Sequence, residues 1–183
     1  MASIEVIKKP VKNDLQQFDD FFSSYLKSNA SLLNIITSYV LKTKGKQIRP
    51  LLVFLSSKLF SDIHPSTFHA ASLIELMHTA TLIHDDVVDD SYERRGMFSV
   101  NALWKNKVSV LIGDYFLAKG LMLAVEKGEF RLLQIVSEAV KEMSEGELLQ
   151  IEKARKLDIN EELYYNIIRK KTATLLAACT YSS

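Results

Sequence analysis

The chain has 183 residues, 48% of them hydrophobic and 25% charged, with a formal net charge of +1. That is about one domain with room for a sizeable core, and no overall field draws it to nucleic acid or to a membrane surface. The single Cys179 excludes an intrachain disulfide and fits a reducing compartment; no apolar run approaches ~18 residues and no signal-peptide core opens the chain, so neither a transmembrane segment nor a leader is expected and a cytoplasmic location is.

Six glycines and three prolines are few for 183 residues, and apolar residues recur at helical rather than strand spacing, which predicts a single all-α domain over residues 1–183. Residues 1–10 read as a loose lead-in. A helix over residues 11–27 carries Leu15, Phe18, Phe22, Tyr25 and Leu26, and a second begins at Ser31, a candidate N-cap, and stops near Gly45. The following GKQIRP reads either as a helix end with solvated bases or as an anion cradle built on Lys46 and Arg49, with Pro50 in the first turn of the next helix. That helix reaches Phe60, residues 62–65 turn, and another helix runs from Ser66 into a run of aspartates. Ser99 or Asn101 caps a further helix, interrupted at Gly113-Asp114 and apolar nearly all round, which implies burial on most sides. Asp114 there reads first as a hydrogen-bonded structural carboxylate. Helices over residues 130–143 and 145–156 follow; Glu147 and Gln150 fit a site and an exposed face equally well. Asn160 caps the last helix, with Glu161 and Glu162 in its first turn. On pattern alone its Lys171 and Thr172 read as surface.

The most informative stretch is HTATLIHDDVVDDSYERRG, from His78 to Gly96. At 3.6 residues per turn His78, Thr81, Asp85 and Asp89 share one face, with Asp86 and Asp90 alongside. Like charges at i,i+4 are unfavourable on a solvated helix, whereas hard cations such as Mg²⁺ relieve clustered carboxylates. Arg94 and Arg95 suit a diphosphate, which guanidinium binds bidentately. The residues therefore point to a Mg²⁺–diphosphate site, against the plainer reading of a solvated acidic helix end. His84-Asp85 also fits a metal-dependent phosphohydrolase, but five clustered acids followed by Arg-Arg suit the diphosphate better.

GKQIRP, His78, DDVVD followed by ERRG, GDY at residues 113–115 and KTA at residues 171–173 together resemble the trans-type isoprenyl (polyprenyl) diphosphate synthases. DDxxD alone is shared with terpene synthases; five motifs in register are far more specific. The resemblance implies antiparallel helices around a deep central cavity, usually in a homodimer, and the joining of an allylic diphosphate to isopentenyl diphosphate with Mg²⁺ as cofactor. It makes Asp85, Asp86 and Asp89 metal ligands on the allylic diphosphate and Arg94 a contact to that diphosphate. Lys46, Arg49, His78 and Arg95 become contacts to isopentenyl diphosphate. Lys171 and Thr172 fall near the leaving diphosphate and the developing cation, with Gln150 a weaker assignment.

The small Ala80 and Thr81, with Met77 deeper, stand where the family sets chain length, which implies a medium or long polyprenyl product. No second aspartate-rich motif follows Lys171, so the sequence reads as the N-terminal portion of such an enzyme, stopping before the C-terminal helices, with weak turnover expected of it alone. Two other readings compete: a non-catalytic partner subunit of a synthase, and a terpene cyclase. The cyclase has no need of GKQIRP or His78 for a second diphosphate.

Overall fold

The computed structural model describes residues 4–182 apart from Lys44, Arg95 and residues 157–159. Its elements are α1 (Ile4–Lys8), a 3₁₀ turn (Lys9–Val11), α2 (Lys12–Tyr25), α3 (Ser31–Lys42), α4 (Ile48–Phe60), α5 (Pro65–Val88), a hairpin of β1 (Glu93–Arg94) and β2 (Met97–Phe98), α6 (Val100–Glu126), α7 (Phe130–Lys156), α8 (Glu161–Ile168), a π-helical turn (Arg169–Ala173) and α9 (Thr174–Tyr181). The all-α expectation holds, the hairpin being a two-residue ladder turned at Gly96, φ +75°.

The core is built around α5. Ala70, Leu73, Ile74, Leu76 and Ala80 are fully buried on several of its faces, which a helix achieves only when neighbours surround it. Its Thr67 hydroxyl meets Ser57 of α4 at 3.0 Å. Phe18 of α2 and Phe54 of α4 close one side edge to face, ring centroids 5.9 Å apart. Along α6, His84 lies over Gly113 and Met77 over Gly120, so the two helices run antiparallel. His69 near the start of α5 bonds Glu129, just before α7, at 3.0 Å.

Several local expectations change. The lead-in is helical from Ile4, and Val11 is fully buried while the Lys58 ammonium donates to Pro10 O at 2.8 Å. Ser31 is not the cap of α3: Ala30 holds that position without a side-chain bond. Instead the Asn34 side chain bonds the Ser28 main chain twice, accepting from Ser28 N–H at Oδ1 (3.0 Å) and donating from Nδ2 to Ser28 O (2.5 Å). Ser99 does cap α6, accepting from the Ala102 N–H at 2.9 Å, and Asn160 caps α8, accepting from Leu163 N–H at 2.8 Å.

Helix α6 runs unbroken through Gly113-Asp114; its irregularity lies earlier, at Lys105, with φ 69° and ψ 165°. Its apolarity is not matched by burial, since Val110, Leu111, Leu121, Met122 and Val125 are 41–59% exposed in one outward stripe. By length and composition alone α6 could cross a membrane, contrary to expectation. It packs here as a bundle helix, and two of its charges have partners in neighbouring helices: Asp114 meets His84, and the Lys119 ammonium sits 3.9 Å over the Tyr25 ring. Helix α7 is also continuous where two helices were expected, with Gly146 buried inside it. On α9 the buried Cys179 thiol donates to Leu175 O at 3.2 Å. Burial pushes that thiol up to about 11, with Glu75 adding to the effect and Arg49 opposing it.

Candidate active site

Because α5 ends at Val88, the acidic run does not continue along one helical face. Asp85 and Asp86 occupy its last turn, and Asp89 is the C-cap, its N–H donating to Asp85 O at 2.8 Å. Asp90 has left the helix with φ 48°. The four aspartates expected alongside one another are thus split between the helix end, its cap and the residue beyond it.

Asp86 is buried, and Arg94 on β1 grips it: Nη2 to Oδ1 at 2.6 Å, and Nε to Oδ1 and Oδ2 at 2.9 and 3.2 Å. A bidentate, largely desolvated pair of this kind is among the stronger side-chain contacts. The two residues thus meet each other in this structure. Arg95 lies outside the described residues.

Asp85 is half-buried, and its carboxyl is held above the ordinary aspartate range, first by burial, then by Glu147 and Asp89, against the lowering pull of Lys171 and Arg94. The charges of Glu147 and Lys171, on α7 and the π turn, thus act on the first aspartate. Among the described residues no three acidic or histidine side chains form a ready-made metal cage. The donors are nevertheless all oxygen, and a carboxylate crowded by two others is what a hard cation relieves, so Asp85 and Asp89 fit Mg²⁺ in chemistry. Asp86 could join them once Arg94 releases it.

The opposite wall comes from α7 and the π-helical turn. Lys171 Nζ contacts Glu147 and donates to Gln150 Oε1 at 2.9 Å, while Lys170 is gripped by Glu142 at 3.0 Å and Glu145 at 2.8 Å. The surface reading of Lys171 is therefore replaced by a paired, half-buried lysine; Thr172 beside it is exposed. Gly146 makes the approach possible: a Cβ there would lie 2.8 Å from Lys170 Cβ and 3.1 Å from Lys171 Cγ. The pairing of Glu147 with Lys171, the π turn and the role of Gly146 are not read from the sequence, which leaves Glu147 open between a site and an exposed face. The one sequence signal was a lone glycine inside a helical pattern, which packing often explains.

A cleft of about 840 Å³, counted out to open solvent, lies between α2, α3, α5 and the hairpin. Its polar lining includes Gln47, Glu75, His78, Asp86 and Arg94, and Phe22, Leu26 and Phe116 form apolar wall. His78 and Arg94 are thus brought together. Lys46, exposed, and Arg49, half-buried, stand near by on the approach to α4 and its first turn without lining the cleft. Gln47, which no motif argument singled out, caps α4 in a left-handed conformation (φ 53°) and donates to Asp19 at 2.7 Å.

None of the three chain-length residues lines this cleft. Ala80 is fully buried, Met77 packs on Gly120, and the Thr81 hydroxyl donates to His78 O at 2.9 Å. The expected structural carboxylate, Asp114, is 59% exposed in its side chain and lies 3.4 Å from His84 Nε2, which also stands 3.3 Å from Val110 O.

The polyprenyl synthetase family model matches residues 30–183. Octaprenyl diphosphate synthase of Escherichia coli is 35% identical over 99% of this chain and 56% of its own length. The crystal structure of a decaprenyl diphosphate synthase from Rhodobacter capsulatus superposes with a TM-score of 0.90 at 35% identity, over 96% of this chain and 55% of that one. A polyprenyl synthase from Caulobacter crescentus complexed with calcium and isoprenyl diphosphate gives 0.92 at 30% identity, over 98% and 55%. The chain spans little more than half the length of each of these three relatives.

Proposed function

The chain belongs to the polyprenyl synthetase family, and from that premise we propose that the protein condenses an allylic diphosphate with isopentenyl diphosphate in a Mg²⁺-dependent prenyl transfer. One observation carries this reading: Asp86 and Arg94, from α5 and β1, are paired in a cleft that His78 also lines, next to Asp85, on which the charges of Glu147 and Lys171 act. When bound, Mg²⁺ supplies Lewis-acid neutralisation of the leaving diphosphate. Asp85 and Asp89, with Asp86 on release of Arg94, are the residues to hold it. Arg94 and Lys171 add fixed positive charge where the carbon–oxygen bond breaks, with Thr172 and Gln150 near by. Lys46, Arg49, His78 and Arg95 anchor the second diphosphate. Apolar walls keep water from the allylic cation.

The product is a medium or long polyprenyl chain, a reading supported by the octaprenyl and decaprenyl enzymes among the relatives and by small Ala80 and Thr81 ahead of Asp85. The protein works in the cytoplasm as a homodimer. The exposed apolar stripe of α6 supports the dimer, since such contiguous surface ordinarily marks an interface.

The test is isothermal titration of the full chain with isopentenyl diphosphate and with an allylic diphosphate analogue, with and without Mg²⁺. The allylic analogue is expected to bind only with Mg²⁺, and Asp85→Ala to abolish that binding. Metal-dependent binding that survives Asp85→Ala would sink the assignment.

A further inference from the structure

Adjacent lysines on the π turn face two different sets of carboxylates. Lys170 bridges Glu142 and Glu145 on one side of Gly146, whereas Lys171 turns to Glu147 and Gln150 on the other. Gly146 sits between the two sets, and its missing side chain lets the π turn lie directly on α7. A π turn inserts one residue into the helical register and commonly marks a functional position. Here it divides the two lysines between opposite sides of Gly146.

The Lys171–Glu147 pair is half-buried, at 32% and 24% side-chain exposure, and both charges act on Asp85. An anion arriving at Lys171 must compete with a carboxylate already in contact with it. The same arrangement recurs at Arg94, whose guanidinium is closed on Asp86. With no ligand present, each of these cations is matched by a carboxylate.

We infer that Glu147 is a positioning residue: it holds Lys171 in place against α7, beside Gln150, and acts as the counter-ion that an incoming diphosphate displaces. The inference rests on the diphosphate reading above and extends it, assigning to Glu147 a role that neither the motifs nor the relatives' names give. Its consequence is directional. Removing the Glu147 charge while keeping its shape leaves Lys171 available, so metal-free diphosphate binds more tightly although no contact to the ligand is added.

The experiment titrates inorganic diphosphate alone, without metal, into the full chain, its Glu147→Gln and Lys171→Met variants and the double variant. A parallel titration of the unmodified chain with Mg²⁺ present is the reference, and melting temperatures confirm folding. Glu147→Gln is expected to raise metal-free affinity by roughly two- to fivefold, the upper range of a partly screened ion pair. That gain should vanish when Lys171 is already Met, giving a clear coupling in the double-mutant cycle. Unchanged or weaker binding in Glu147→Gln, or the same gain in the Lys171→Met background, overturns the inference while the diphosphate reading stands. Absence of binding to every form, with Mg²⁺ as well, overturns both.

Discussion

Two glycines buried inside long helices hold opposite sides of the site, and they differ in what they make room for. At Gly113 of α6 an added Cβ would lie 2.2 Å from His84 Nε2; at Gly146 of α7 it would lie 2.8 Å from Lys170 Cβ. Distance alone ranks Gly113 as the stricter position, but the colliding atom reverses the order. The His84 ring is the far end of a rotatable, partly exposed side chain, so it can swing away and lose its contacts to Val110 O and Asp114. Lys170 Cβ is fixed to its backbone, and Lys171 N is 3.4 Å from the same point. Relief there must move the π turn itself. A close approach is as strict as its least movable partner.

The largest effect should therefore come from Gly146→Ala, a loss of about 2 kcal/mol by chemical denaturation, the middle of the range for overpacking. Metal-free diphosphate affinity should change with it as Lys171 shifts. Lys170→Ala would not rescue this variant, because the Cβ remains.

Gly113→Ala should cost less, about 1 kcal/mol, part of the strain being offset by the better helix propensity of alanine. Adding His84→Ala should recover much of that loss, since the obstruction is then gone. If Gly113→Ala proves the more damaging of the two, or His84→Ala fails to rescue it, the ranking by movable atom is wrong.

Lys105 sharpens the contrast from the other side, a non-glycine residue where the backbone itself asks for glycine. Its φ of 69° and ψ of 165° fall in a region that residues with a Cβ enter at a cost of order 1 kcal/mol or more. Lys105→Gly should raise stability by about 0.5–1 kcal/mol, read as a shift in denaturant midpoint.

The smallest effect is expected at the far end of α5, remote from both glycines. Burial pushes Glu129 up, but the bonds from His69 and Ser66 outweigh it and the carboxyl ends below the ordinary glutamate range. A depressed carboxyl contributes stability above its unfolded pKa and loses it as pH falls through the folded value. Stability should thus decline on the acid side, by less than about 1 kcal/mol for this partly exposed pair. Glu129→Gln should flatten that limb in melts recorded below about pH 4.5, the ordinary glutamate range.

What could be read from the sequence follows the range of the interactions responsible. Caps at Ser99 and Asn160, Pro50 in the first turn of α4 and the entry of α5 from the core are set within a few residues and were legible. The Ser31 cap failed because Asn34, equally local, bonds Ser28 instead. Gly113 looked like a break, and the closeness that Gly146 permits was not legible, because their partners, His84 and Lys170, lie 29 and 24 residues away in sequence. Periodicity gave the apolar character of α6 but not which side of it would be left bare. For the site, the aspartates, Arg94, His78 and Lys171 were singled out by motif. Glu147 could be paired with Lys171 only once the π turn brought the two together.

Cys179 turns the packing of α9 against α4 into something a clock can follow. With its thiol near 11 and no exposed surface, it carries roughly two to three orders of magnitude less thiolate at neutral pH than an ordinary cysteine. Alkylation then proceeds through moments when α9 lifts away, so the labelling rate of the one native thiol counts those openings without any introduced probe. Because Cys179 is eight residues beyond Lys171, a ligand that braces the π turn should slow that count.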